Sequence, residues 1–225
     1  MLIHRMWLGP RPMPAPFRGF GKRWQELNPG AKVIEWSWHN LPEDLANDGV
    51  LEDIRGRCTK GGSIEMAVAL ADVIAYDLVR RFGGTYVNCD IQPLRPLSLL
   101  GDFLTRQPWA SRESSEEWRG VVNAAFGGPA GHPFWESVVT DLLPARYWRM
   151  KAEGNGIIPD ATGNALMGEA ITAHPGVLHV FGSEVFNPVH STELELLTPS
   201  WVPPPGAVAV HYWDHKRTGR TNYIT

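Results

Sequence analysis

Cysteine is scarce: Cys58 and Cys89 are the only two in 225 residues. Two thiols cannot build a disulfide framework, so a reducing compartment is the simpler inference, with one bridge left open. Cys89 reads as a small buried hydrophobe rather than a ligand or nucleophile. No stretch approaches the roughly 18 consecutive apolar residues of a transmembrane helix. The opening MLIHRMWLG lacks the sustained apolar run of a secretory leader. A cytoplasmic protein with no transmembrane segment is therefore expected. Neither sign of charge dominates; a net charge of -3 does not decide strongly for or against a nucleic-acid partner, but it counts against a DNA-coating protein, and no nucleic acid is expected. The glycine fingerprints G-x-G-x-x-G and G-x-x-x-x-G-K-[ST] are missing, which weakens dehydrogenase and P-loop readings. H-E-x-x-H and paired C-x-x-C are missing, so zinc has no signature, and without G-x-S-x-G no serine hydrolase is indicated.

What is present is ordinary globular composition, 43% hydrophobic and 20% charged, with ten tryptophans. Each tryptophan suits a core or a cleft that stacks on sugars or bases. Residues 2–8 read as a strand, 17–27 as a helix stopped by Asn28-Pro29-Gly30, and 33–38 as a second strand. That order opens an α/β nucleotide-binding architecture. Residues 41–57 carry a short helix, as do 97–104. Strands are expected at 108–111, 121–127, 177–181 and 207–212, helices at 133–143 and 163–171, and a loop-rich stretch at 147–160. Nothing demands a second domain, so residues 1–225 are read as one.

The chain is organised around residues 71–96, ADVIAYDLVRRFGGTYVNCDIQPLRP. Ile64, Val68, Ala71, Ala75, Leu78 and Phe82 recur at helical spacing and predict one apolar stripe, with Ser63 as N-cap. Gly83-Gly84 stops that helix in the left-handed conformation. Residues 85–87 have strand composition, and Asn88-Cys89-Asp90 forms the tip. In an extended chain Asn88 and Asp90 would share one face and Cys89 the other. Two oxygen-bearing side chains at a strand's carboxyl end suit a hard divalent cation. On spacing alone, a strand running into a polar turn with no ligand is the favoured reading, because D/N-x-D triplets are common.

A resemblance adds to this. IHRMWLGP at 3–10 and ADVIAYDLVRRFGGTYVNCDIQPLRPL at 71–97 resemble glycosyltransferase family 32, whose members carry a DXD sugar-binding motif and are related to clostridial toxin glucosyltransferases. NAAFGGPAGHPFWESVV at 123–139, ATGNALM at 161–167 and AVHYWDHKR at 209–217 resemble later segments of that family in the same order. The resemblance implies an α/β fold of GT-A type, with a mixed central sheet flanked by helices. It implies metal-assisted transfer of a hexose from a UDP- or GDP-hexose, with retained anomeric configuration, to a glycan or protein acceptor. Mn2+ or Mg2+ would assist. By position, Trp7 would stack on the donor base and Asp72 would bond the ribose or sugar, with Tyr76 matching beside it. Asn88 and Asp90 would fill the acidic motif, Asp90 and Asp72 being the catalytic pair. His211 would be a further metal or diphosphate contact. Lys216, with Arg217 and Arg220, would add positive charge. Asn123 and Asp160 are named on position alone.

Two departures matter. Asn88 offers oxygen without charge where the family has a carboxylate. Ala75 stands where an arginine is expected. Both permit an alternative, a sugar-nucleotide or glycan binding protein of the same fold with weakened catalysis. A metal-dependent phosphoesterase using Asp90 and His211 would need a second cluster of metal ligands.

Overall fold

The structure is a computed structural model that describes residues 1–9, 12–58, 64–113, 120–154 and 161–213. Ser63, Asp160, Lys216, Arg217 and Arg220 lie outside the described residues. Eight strands are present among those described: β1 Leu2–Met6, β2 Lys32–Trp36, β3 Gly84–Val87, β4 Ile91–Pro93, β5 Trp109–Arg112, β6 Val121–Gly128, β7 His179–Phe181 and β8 Ala209–His211. The helices are α1 Ala15–Leu27, α2 Asp48–Cys58, α3 Ile64–Phe82, α4 Phe103–Arg106, α5 Pro133–Ser137, α6 Leu143–Ala152, α7 Asn164–Ala173 and α8 Ser183–Phe186.

Six strands form one sheet in the order β2-β1-β3-β6-β5-β7, and β4 pairs with β8 in a separate ribbon. β2, β1 and β3 are parallel, while β6 runs antiparallel to β3 and β5. The carboxyl ends of β1, β3 and β5 and the start of β6 therefore share one sheet edge. This is the mixed central sheet flanked by helices that the sequence led us to expect. Alternation along the strands sends Tyr86 and Phe126 to one face, where they join Tyr76 and Trp135. Val87, Ala125 and Trp109 go to the other face, where Trp109 stacks on Phe186.

α3 is buried more widely than a single stripe. Ala69, Leu70, Val73, Ile74, Tyr76, Leu78 and Val79 are all buried, whereas Val68 and Phe82 are exposed. Contacts with α2, α5, β1 and β3 wrap the helix from several sides, so a stripe derived from one-sided packing misplaces its margins. The region 147–160 also differs from expectation, because α6 continues to Ala152. Pro144 is tolerated there because it falls in the first turn, after a π-type turn at Val138–Leu142.

The double glycine joins α3 to β3. Gly83 and Gly84 have φ of +62° and +95°, values that a side chain disfavours. The Gly83 carbonyl accepts a hydrogen bond from His4 Nε2 at 2.9 Å. Trp36 Nε1 donates to His4 Nδ1 at 3.0 Å, so the proton of the neutral ring sits on Nε2. Burial lowers the His4 pKa and keeps the ring neutral.

A Cβ on Gly84 would lie 2.5 Å from the Leu2 carbonyl oxygen of the neighbouring strand. Gly84→Ala should therefore destabilise the fold by roughly 2–4 kcal/mol, through backbone strain and collision together. Urea unfolding checks this, and wild-type stability in the variant would contradict it.

Candidate active site

The tip after β3 is held from beneath by Arg5. This side chain is fully buried on β1. Its NH2 donates to the carbonyls of Phe17 at 2.7 Å and Cys89 at 2.9 Å, and its NH1 pairs with Glu35. A buried guanidinium needs such partners, and the Cys89 carbonyl belongs to the tip itself. Asn88 donates its backbone N–H to Ala124 and accepts from Ile91 N–H at 3.1 Å, which closes a turn. The expected alternation of Asn88 and Asp90 is thus corrected: β3 ends at Val87, and a turn has no period of two. The Cys89 thiol donates to the Met6 carbonyl, and burial pushes its pKa up to about 12. It remains a protonated, buried thiol, as its reading from sequence held.

The β4-β8 ribbon then delivers the second half of the site. Ile91 lies opposite His211 in register, and Tyr212 N–H donates to the Asp90 carbonyl. His211 Nε2 consequently sits 3.1 Å from Asp90 Oδ1, across 121 residues of sequence. Trp213, with φ of +52°, packs at a tilt of 32° on the His211 ring, ring centres 3.9 Å apart, and donates its indole N–H to Val189. His211 Nδ1 is buried without a hydrogen-bond partner among the described residues. Trp7 follows β1, half-buried, with its ring edge-on to Phe17.

Asp72 lies on the α3 side of the same edge. The residue is 8% exposed, and its carboxylate accepts from Asn123 Nδ2 at 2.7 Å and Thr162 Oγ1 at 3.0 Å. Asn123 is the third residue of β6, and its backbone N–H donates to Asn164 Oδ1. Burial pushes the Asp72 pKa up to about 7, and the two hydrogen bonds only partly oppose this. Tyr76 is a correction. It is fully buried, its hydroxyl donates to the Thr162 carbonyl, and its ring packs on Phe126. It supports the Asp72 pocket from inside rather than facing a donor. Arg5, Thr162, Asn164 and Trp213 were not singled out from sequence. All four lie inside resembling segments, Arg5 in 3–10, Thr162 and Asn164 in 161–167 and Trp213 in 209–217, but none gave a signal of its own.

No family model matches the chain. It is 28% identical over 141 residues to inositol phosphoceramide mannosyltransferase 3 of Schizosaccharomyces pombe, covering 63% of this chain and 36% of that protein. The chain thus spans about a third of the length of this curated relative. The solved PaToxG glycosyltransferase superposes with a TM-score of 0.59 at 13% identity, covering 78% of this chain and 70% of that one. The UDP-bound glycosyltransferase domain of the YGT toxin gives 0.52 at 8% identity, covering 80% and 79%. The fold is that of the GT-A glycosyltransferases.

Within this GT-A fold, no group of three His, Cys, Asp or Glu converges among the described residues. The second ligand cluster of a phosphoesterase is therefore not found there. Asp90 and His211 form a two-member donor set with Asn88 beside it. That set fits a hard cation travelling with a nucleotide, which takes most of its ligands from phosphate and water. Their 3.1 Å separation suits neighbouring ligands of one octahedral ion, which lie roughly 3 Å apart.

Asp72 has a measurable consequence for stability. Folded protein keeps its proton up to about pH 7, whereas the unfolded carboxyl loses it near 3.8. Between those values the folded state binds more protons, so raising pH through that window lowers stability. The full penalty, on the order of 4 kcal/mol, is reached above about pH 7. Asp72→Asn should remove this dependence and melt higher than wild type at alkaline pH. Thermal melts across pH 4 to 9 provide the check; parallel curves for the two proteins would contradict it.

Proposed function

We propose that the protein is a hexosyltransferase that uses a nucleoside diphosphate hexose, with retention at the anomeric carbon. The observation that carries this reading is the pairing of two unlike carboxylates at one sheet edge. Asp90 sits with His211 at the tip of β3, and Asp72 is buried with Asn123 and Thr162 beside β6. The GT-A fold and the UDP-bound neighbour support a nucleotide-sugar donor, with UDP tried first and GDP second. The mannosyltransferase relative supports a hexose.

Each residue then has a task. Trp7 supplies a flat apolar surface for the base. Asp90 and His211 would hold Mn2+ or Mg2+, which when bound offsets charge on the departing diphosphate. Asp72, pinned by two donors, orients hydroxyls of the donor sugar. In the reaction the acceptor oxygen bonds to the anomeric carbon as the bond to the diphosphate oxygen breaks. The acceptor proton passes to that departing oxygen. Attack from the leaving-group side preserves configuration and needs no protein nucleophile.

Asn88 favours a second reading, a sugar-nucleotide or glycan binding protein with little turnover, because an amide brings no charge to the cation. A donor screen scored by release of nucleoside diphosphate separates the two. Under the enzyme reading, release with Mn2+ falls about a hundredfold or more in Asp90→Ala. Tight binding with no release by wild type would leave the binding-protein reading, and unchanged release in the variant would remove Asp90 from the chemistry.

A further inference from the structure

Outside the site just described, the described residues hold another converging polar cluster at the same sheet edge. Glu113 follows β5 and is 5% exposed. Its backbone N–H donates to the Gly120 carbonyl at 3.1 Å, which fixes the chain there. Ser191 Oγ donates to Glu113 Oε1 at 3.0 Å, and His190 Nε2 lies 2.8 Å from the same oxygen. Thr192 holds the other ring nitrogen, its N–H donating to His190 Nδ1 and its Oγ1 lying 2.8 Å from the same atom, which turns Nε2 toward Glu113. Two donors thus converge on Oε1, and Oε2 has no hydrogen bond among the described residues. Nearby, Asn187 Nδ2 donates to the Arg112 carbonyl at 3.0 Å. Asn187 Oδ1 and Ser111 Oγ are buried without partners among the described residues. This corner therefore has more hydrogen-bonding capacity than its own side chains use.

Position gives the capacity a use. Trp7 follows β1, the tip follows β3, Asn123 lies near the start of β6 and Glu113 follows β5, on consecutive strands of one edge. Strands lie about 4.8 Å apart, so the strand that ends at Glu113 lies two spacings, roughly 10 Å across the sheet, from the strand that carries the tip. A donor laid along that edge would meet base, diphosphate and sugar sites in turn, and the next strand end is Glu113. The loop carrying His190 and Ser191 is tied to Trp213, and through it to His211, by the indole bond to Val189.

We propose that Glu113 is the anchor of an acceptor subsite that binds a polyhydroxylated ring, accepting a hydroxyl hydrogen bond on Oε2 while Ser191 and His190 hold Oε1. This rests on the hexosyltransferase reading for its role, but not for its binding test. Saturation-transfer NMR is run on the full chain in the presence of UDP, with myo-inositol and methyl α-D-mannopyranoside as probes. Wild type should bind at least one. Glu113→Gln should weaken that binding about tenfold, as for loss of a charged acceptor, and Ser191→Ala should weaken it less. UDP affinity by calorimetry stays unchanged in both. Preference for inositol identifies a polyol headgroup, and preference for the mannoside a glycan. Equal probe binding in wild type and Glu113→Gln, or none in wild type, overturns the proposal. Failure of wild type to bind UDP or GDP would count instead against the donor reading.

Discussion

The buried Arg5 guanidinium is the interaction on which the rest of the site depends. It joins β1, α1, β2 and the turn after β3 by donating to Phe17 and Cys89 and pairing with Glu35. An arginine sealed from water is costly unless its donors are met, and breaking one such pair typically costs 3–5 kcal/mol. The turn is thus held by a partner that cannot move without losing its own bonds. Gly21 belongs to the same arrangement, because a side chain there would collide with both Arg5 and Glu35. Asp90 takes its position from this turn, and His211 takes its own from the ribbon that the turn begins.

The two carboxylates of the site are set up differently. Asp90 faces an imidazole at a sheet edge. Asp72 is enclosed by uncharged donors, and burial raises its affinity for a proton. One is suited to positive charge and the other to neutral hydroxyls. The sheet separates them by sending β3 and β6 to adjacent places on one edge, so a bound donor would meet both along its length.

Much of this could be read from residues 64–97. The double glycine, the short strand and the turn appear where their residue types require them, since helix stop and turn chemistry are local. The alternation of Asn88 and Asp90 failed because composition does not mark where extended backbone gives way to a turn. The exposure of Val68 and Phe82 on α3 could not be foreseen because it depends on which elements wrap the helix. Tyr76 matched a motif, yet its task is inside the pocket, where Thr162 receives its hydroxyl. Arg5 was invisible for the same reason: a charged residue in a strand gives no sign that it will be buried until its partners, 12 and 84 residues away, are placed. His211 was legible only through resemblance, since strand pairing at long range is not written in local sequence.

The central claim is that the turn held by Arg5 presents Asp90 and His211 as one cation and diphosphate site. Crystals grown with UDP and Mn2+, with anomalous scattering measured for manganese, address it most directly. The account predicts one manganese peak at Asp90 and His211, with the UDP diphosphate against it and the base at Trp7. Bound UDP with no manganese at Asp90, or manganese held by other residues, would contradict it.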